Sequence, residues 1–296
     1  MRRQTAATLY ALSAVLLWST VASAFKLSLR TLTITELLFF ASLASILAQG
    51  TIVVLSGQLP ALFRVTRQDL AFSAFLGLLN PLAFYLVLFK AYDLLPAQEA
   101  QPLNFTWAIT LSLLSVPLLK QPLRVVDFLA LIISYTGVYV IATRGDVTAV
   151  SFSSPLGVGL ALGSTVIWAL YWIANTRDPL QPACRLLLNF IFGTAYVGLL
   201  LALTGEPDLP PFSGLLGAGY VGFFEMGFTF ILWSQALKLS RSASQVSIFI
   251  YLAPFLSLVF IHVLVGETIL PSTLVGLVFI TAGISLQQFV KARERA

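Results

Sequence analysis

Residues 80–119 read NPLAFYLVLFKAYDLLPAQEAQPLNFTWAITLSLLSVPLL, two apolar runs joined at the polar hinge AYDLLPAQ. A second stretch begins at Glu225 and reads EMGFTFILWSQALKLSRSASQVSIFIYLAPFLSLVFIHVLV. Both have an aromatic-rich entry, an alanine (Ala91, Ala236) before a short polar hinge, and then a long run with polar residues among aromatics. At the spacing of 145 that separates Ala91 from Ala236, Leu94, Ala108, Leu111, Ser112, Leu113 and Leu119 also meet identical residues. Leu and Ala matches are cheap in apolar sequence, so the register gains weight only from the rest of the chain. A duplicated membrane unit would set the two hinged pairs face to face around a path.

Composition puts the chain in a membrane. Of 296 residues, 58% are hydrophobic and 10% charged, and the mean hydropathy is +0.92. A soluble domain carries roughly 25% charged residues, so there is too little polar surface here to face water. Cys184 is the one cysteine and His262 the one histidine. No internal disulfide is possible, and neither a metal site nor a Ser-His hydrolase has the residues it needs. No cofactor is expected. The segment MRRQ, an apolar run and Ala22-Ser23-Ala24 imitate a secretory signal. The uncharged run from Gln4 to Phe25 exceeds the roughly 7–15 residues of a signal core, so it reads as an uncleaved first span.

A spanning helix needs about 20 mostly apolar residues, and backbone in lipid must bond to itself. Ten runs qualify: roughly 5–25, 34–55, 70–92, 97–119, 124–142, 154–175, 184–204, 212–237, 242–265 and 271–290. With the N-terminus inside, the inner loops and termini receive Arg2, Arg3, Arg64, Arg67, Lys120, Arg124, Arg177, Arg185, Lys238, Arg241, Lys291, Arg293 and Arg295. The outer loops receive Lys26, Arg30 and Arg144, while Lys90 lies near an outer helix end. This bias orients ten spans with both termini cytoplasmic and accounts for the pI near 9.5 without nucleic acid. The expected fold is therefore all-α, with ten transmembrane helices. The loop TRGDVTAVSFSSP divides them five and five, as units 1–143 and 154–290. Five is odd, so tandem copies insert oppositely, giving an inverted repeat.

The pattern resembles the drug/metabolite transporter superfamily in its EamA-type ten-helix form. The resemblance rests on WSTVASAFK at Trp18–Lys26 and on the hinges Ala91–Ala97 and Ala236–Ser242. It rests most on YLAPFLSLVFIHVLVGETI at Tyr251–Ile269 and LVGLVFITAGISL at Leu274–Leu286. The first copy departs from the pattern, with Lys120-Gln121-Pro122 in place of Gly-Glu and Ile109 in place of Pro254. Within the superfamily the chain is most similar to bacterial aromatic amino-acid exporters. The resemblance implies that helices 1, 3, 4, 6, 8 and 9 surround a path, that 5 and 10 support it, and that 2 and 7 lie outside. It also implies alternating access in the bacterial inner membrane.

Ionisable groups within lipid are costly, about 2.5–3.5 kcal/mol at mid-helix. Glu36, Lys90, Asp93, Glu99, Arg144, His262 and Glu267 fall near outer helix ends, and Asp69, Asp127 and Asp178 near inner ends. Only Glu225 lies well inside, and its counterpart at the spacing of 145 is Asn80. Glu225 reads as a site for an ammonium group or a proton, or as a carboxyl held for structure alone. Pro81 reads as a kink that frees a carbonyl. Gln101, Asn104 and Trp107, three apart, share a helical face. With Tyr85, Trp168 and Phe249 they would line an aromatic cavity with a few amides, suited to an apolar body with a polar head. Pro117 and Pro254 read as further kinks at gating positions. Gly159 and Gly163, with Gly157, read as a close-packing stripe.

The expected function is secondary export of aromatic or hydrophobic amino acids. A multidrug exporter of lipophilic cations, with Glu225 as counter-charge, is the nearest alternative. An intramembrane enzyme lacks a central aspartate pair or a deep histidine, and a purely structural protein is the remaining class. The partners are a small-molecule substrate and lipid, the chain acting as a monomer without nucleic acid.

Overall fold

The computed structural model describes residues 2–120, 125–148, 152, 154–175, 178–204, 210–240 and 248–293. Among them there is no strand. Nine helices are long and apolar enough to cross a membrane: α1 (Arg3–Ser28), α2 (Ile34–Leu55), α3 (Arg67–Leu94), α4 (Ala97–Leu119), α5 (Val125–Ala142), α6 (Pro155–Asn175), α7 (Pro182–Thr204), α8 (Phe212–Leu239) and, last in the chain, α10 (Pro271–Phe289). The shorter apolar helix α9 (Phe249–Val265) completes the ten. The expected opening of the ninth run, including Gln245, and the last two residues of the hinge KLSRS, Arg241 and Ser242, lie outside the described residues.

Local chemistry sets the ends. Thr33 and Thr66 each accept a hydrogen bond from the backbone N–H three residues on, while Glu36 and Asp69 return bonds to the threonine N–H at 2.7 and 2.9 Å. These reciprocal capping boxes satisfy the orphan donors of α2 and α3. They give two charges near helix ends a structural role. Gly266, with a φ of 85°, closes α9 in the left-handed conformation that glycine adopts freely.

The packing repeats with the helix numbers shifted by five. α1 lies on α8 and α9, and α6 lies on α3 and α4. α2 lies on α8, and α7 lies on α3. α2 pairs with α7, and α5 with α10. The α5–α10 seam is close because Gly137 and Gly276 face each other's carbonyls with no room for a Cβ. The same holds where α7 meets α3 and α2 meets α8. A Cβ on Gly77 would lie 2.7 Å from the Asn189 carbonyl oxygen, and one on Gly222 would collide with that of Ala41.

The outward faces of α2 and α7 carry exposed Leu43, Leu47, Leu199 and Leu203, as peripheral helices should. Their inner faces are not inert, however. Ser42, Ser45 and Gln49 of α2 and Asn189 and Thr194 of α7 are buried. These two helices touch the irregular central turns of α8 and α3 directly.

The stripe Gly159–Gly163 is a correction. Nothing lies within 4 Å of a Cβ built on either residue, and only Gly157 is packed, against Leu95. α6 makes its close contacts to α3 and α4 through other faces.

Candidate functional site

The central helices are broken at matched positions. α3 widens into a π-type segment over Leu78–Ala83, and α8 does so over Val221–Phe228. In α3 the cause is local. Pro81 has no N–H, and its ring pushes Asn80 out of the helical region to φ −145°, ψ 117°. This is the expected kink, and the Asn80–Pro81 peptide is cis. In α8 no proline is present, and Glu225 sits in the middle of the wide turn. Wide turns of this kind recur at functional sites.

Around α3 the polar groups converge. Asn80 and Asn189 are both almost completely buried, and Asn189 donates through Nδ2 to the Tyr171 hydroxyl at 3.2 Å. The Pro81 ring packs into the space left by Gly193. The Oδ1 atoms of Asn80 and Asn189 have no protein partner. Around α8, the Met226 carbonyl accepts from Ser45 Oγ and from Gln49 Nε2, each at 2.9 Å, and Gln49 Nε2 also reaches Ser45 Oγ at 2.7 Å.

Tyr85 links the two breaks. Its ring is buried between Phe84 and Phe89, and its hydroxyl points at Glu225 Oε1 from 3.5 Å, the outer limit of a hydrogen bond. Glu225 is half-buried. An aromatic wall continues from Phe84 to Trp168 at 4.6 Å, then to Tyr171 and Trp172, each 5.8 Å from Trp168. On the other side, Trp18 of α1 meets Phe230 and Trp233 of α8, both at 5.6 Å. Thus Tyr85, Trp168 and Glu225 are joined by contacts across α3, α6 and α8, and Asn80 lies in the break of α3 that leads into this cluster. The Trp18 and Trp233 rings are tilted by 56° to each other.

The α4 residues divide. Thr106, at φ −70° and ψ −2°, is a single tightened residue between the helical segments Ala97–Phe105 and Trp107–Leu119 of the one span α4. Asn104 donates to Ser164 of α6 at 2.9 Å, and Gln101 keeps a buried Oε1 without a protein partner. Trp107 is half-buried and opens the second segment. Phe249 lies apart from the aromatic wall, packing with Ala7, Ala11 and Ala236, because the first turn of α9 sits beside the end of α8. Pro254 follows the 3-10 turn Ile248–Tyr251 in the first turn of the next helical segment, and Pro117 is exposed in the last turn of α4.

Sequence reading missed three groups. The first is the Ser45–Gln49 pair. The second is Arg185, buried at the start of α7, which donates to Asp69, Asp178 and Ser73 and stands 5.1 Å over the Phe72 ring. It ties α7 to the start of α3. The third closes the end of the bundle where α3 meets α4. Lys26 Nζ caps the end of α3 through the carbonyls of Tyr92 and Leu95 at 2.6 and 2.8 Å. Glu267 caps the start of α4 through the N–H groups of Ala97 and Gln98 at 2.7 and 3.0 Å. Gln98 reaches Thr268 and Leu270, Arg144 pairs with the buried Glu99 at 2.8 Å, and Arg30 reaches Val265. Opposite charges at opposite helix ends suit the helix dipoles. The isolated Lys and Glu at helix ends were visible in sequence, but their partners stand far away in the chain.

Known proteins give the same outline. An uncharacterized transporter of Clostridium kluyveri is 26% identical over 229 residues, 74% of this chain and 72% of its own. The uncharacterized transporter YvbV of Bacillus subtilis is 25% identical over 228 residues, again 74% of this chain and 72% of its own. A crystal structure of a protein 21% identical in sequence aligns over 99% of both chains with a TM-score of 0.64, a likeness of fold. With ten apolar helices and matches over residues 5–143 and again over 155–287, the chain belongs to the EamA-like transporter family.

Proposed function

We propose that this multi-pass membrane transporter exports aromatic or hydrophobic amino acids and related amphipathic metabolites by alternating access. The observation that carries the reading is the carboxylate of Glu225, placed in a wide turn at mid-helix, beside Tyr85 and the wall of Phe84 and Trp168. A carboxylate and buried amide oxygens accept from an ammonium group, and the rings take an apolar body. Asn80, Gln101 and Trp107 belong to the same path in this reading, with Asn104 holding α6 to α4. Phe249 has no part in it, given its separate packing.

The two units, 1–143 and 154–290, are inverted copies with both termini cytoplasmic, in the bacterial inner membrane. The shifted-by-five packing and the distribution of Lys and Arg support this. The bonded end at Lys26 and Glu267 then faces outward and is closed, and the chain works as a monomer. Proteoliposomes loaded with labelled phenylalanine, tyrosine or tryptophan test the reading. Release that depends on the protein is expected, and release of none of the three overturns it.

A single deep carboxylate among rings also favours a second reading, export of lipophilic cations. Methyl viologen in the same vesicles separates the two. A cation exporter carrying Glu225→Gln loses nearly all transport, whereas an amino-acid exporter retains a measurable fraction.

A further inference from the structure

α2 was expected to lie outside the path, yet it holds a carbonyl one residue from the deep carboxylate. The Met226 oxygen, one residue after Glu225, accepts from both Ser45 and Gln49. Both side chains are buried, at 0% and 1% exposure, so water does not compete for these bonds. α2 comes this near because its own small residues face glycines of the wide turn. Gly222 lies against the Ala41 carbonyl, and a Cβ on Gly227 would stand 2.8 Å from that of Ala48. No proline imposes the wide turn in α8, unlike in α3.

A π-type turn holds one residue more than a regular turn. Relaxing it to an α-helix shifts the register by one residue, which turns everything on one side by about 100° relative to the other. Such a rotation would carry the Glu225 side chain away from Tyr85. We infer that Ser45 and Gln49 are positioning residues that fix the register of α8 and so aim Glu225 into the substrate path. The inference rests on the reading above in one respect, that Glu225 belongs to that path. The pair acts through the backbone and touches no substrate.

Two measurements test it. The first reads aim without transport. With Cys184 replaced by serine, cysteines are placed by Tyr85→Cys and Glu225→Cys and joined with a short bifunctional maleimide in membranes. Cross-linking is expected in this background and is expected to be lost when Ser45→Ala and Gln49→Leu are added together. An undiminished yield in that protein, eluting as a monodisperse species, overturns the inference. The second reads labelled phenylalanine transport with Glu225 and Tyr85 intact. Each single change is expected to raise KM about fivefold, and both together about 25-fold, the order for one and two hydrogen bonds lost from the Met226 carbonyl. Ser45→Thr, which keeps the hydroxyl, is expected to restore the Ser45→Ala loss. An unchanged KM in the double variant, or a loss in Ser45→Thr equal to that in Ser45→Ala, also overturns it. Failure of the underlying reading looks different: Glu225→Gln then transports like the parent while cross-linking still depends on Ser45 and Gln49.

Discussion

The breaks in α3 and α8 stand at matched positions and reach the same wide geometry by different means. In α3 the cause is in the sequence, since Pro81 cannot donate and Asn80 leaves the helical region. In α8 the segment VGFFEMGF holds nothing that forbids a regular helix, and the support comes from α2 through Ser45 and Gln49. A neighbouring helix serves each break: α7 brings Asn189 and Gly193 to the first, and α2 brings Ser45 and Gln49 to the second. The difference teaches that the backbone break is what the two halves share, while its chemistry is free to diverge. One break presents an amide and the other a carboxylate.

The largest expected effects test what is shared. Gly77→Leu and Gly222→Leu each drive a side chain onto a carbonyl of the neighbouring helix, which a packed backbone cannot yield without moving. Each is expected to destabilise by about 3 kcal/mol or more, the upper end for overpacking, read as melting temperature in detergent. If one is tolerated, the two breaks are not equivalent in packing.

The next effects test what differs. Glu225→Gln is expected to lower phenylalanine transport efficiency at least about tenfold, whereas Asn80→Ala lowers it only about two- to threefold. The reverse order would move the polar head of the substrate to the first break.

A contrast between the ends of the bundle follows. Glu267→Ala leaves the N–H groups of Ala97 and Gln98 without their carboxylate. A cysteine in place of the buried Leu95, in a Cys184→Ser background, is then expected to react about tenfold faster with an impermeant maleimide, the order for one lost charge-assisted hydrogen bond. An unchanged rate removes the bonded end as a gate.

The last comparison is between the two tryptophans. Trp168→Ala is expected to raise the phenylalanine KM about fivefold, within the range for one aromatic pair. Trp18→Ala, on the far side at Phe230 and Trp233, is expected to change it less. Equal effects would make both walls part of one cavity.

Much of the candidate site was legible because membrane burial makes polar residues conspicuous. Glu225 stood out by depth and Asn80 as its counterpart at the spacing of 145, and Pro81 announced its own break. The Ser45–Gln49 pair gave a usable signal, two polar residues four apart in an apolar run, which must face protein. One expectation failed for a reason that lies beyond spacing. Gly159 and Gly163 have the spacing for close approach, but no helix comes to them.

By itself the sequence determined the apolar helices and, to within a few residues, their limits among the described residues. Lipid leaves the backbone no other partner, so hydropathy and length suffice. It also determined the break in α3, because a missing N–H is a covalent fact. Only the tertiary structure decided the wide turn in α8, the capping of α3 and α4 by Lys26 and Glu267, and the burial of Arg185. Each depends on a donor meeting an acceptor from a distant helix, and no local pattern encodes which helices will lie side by side.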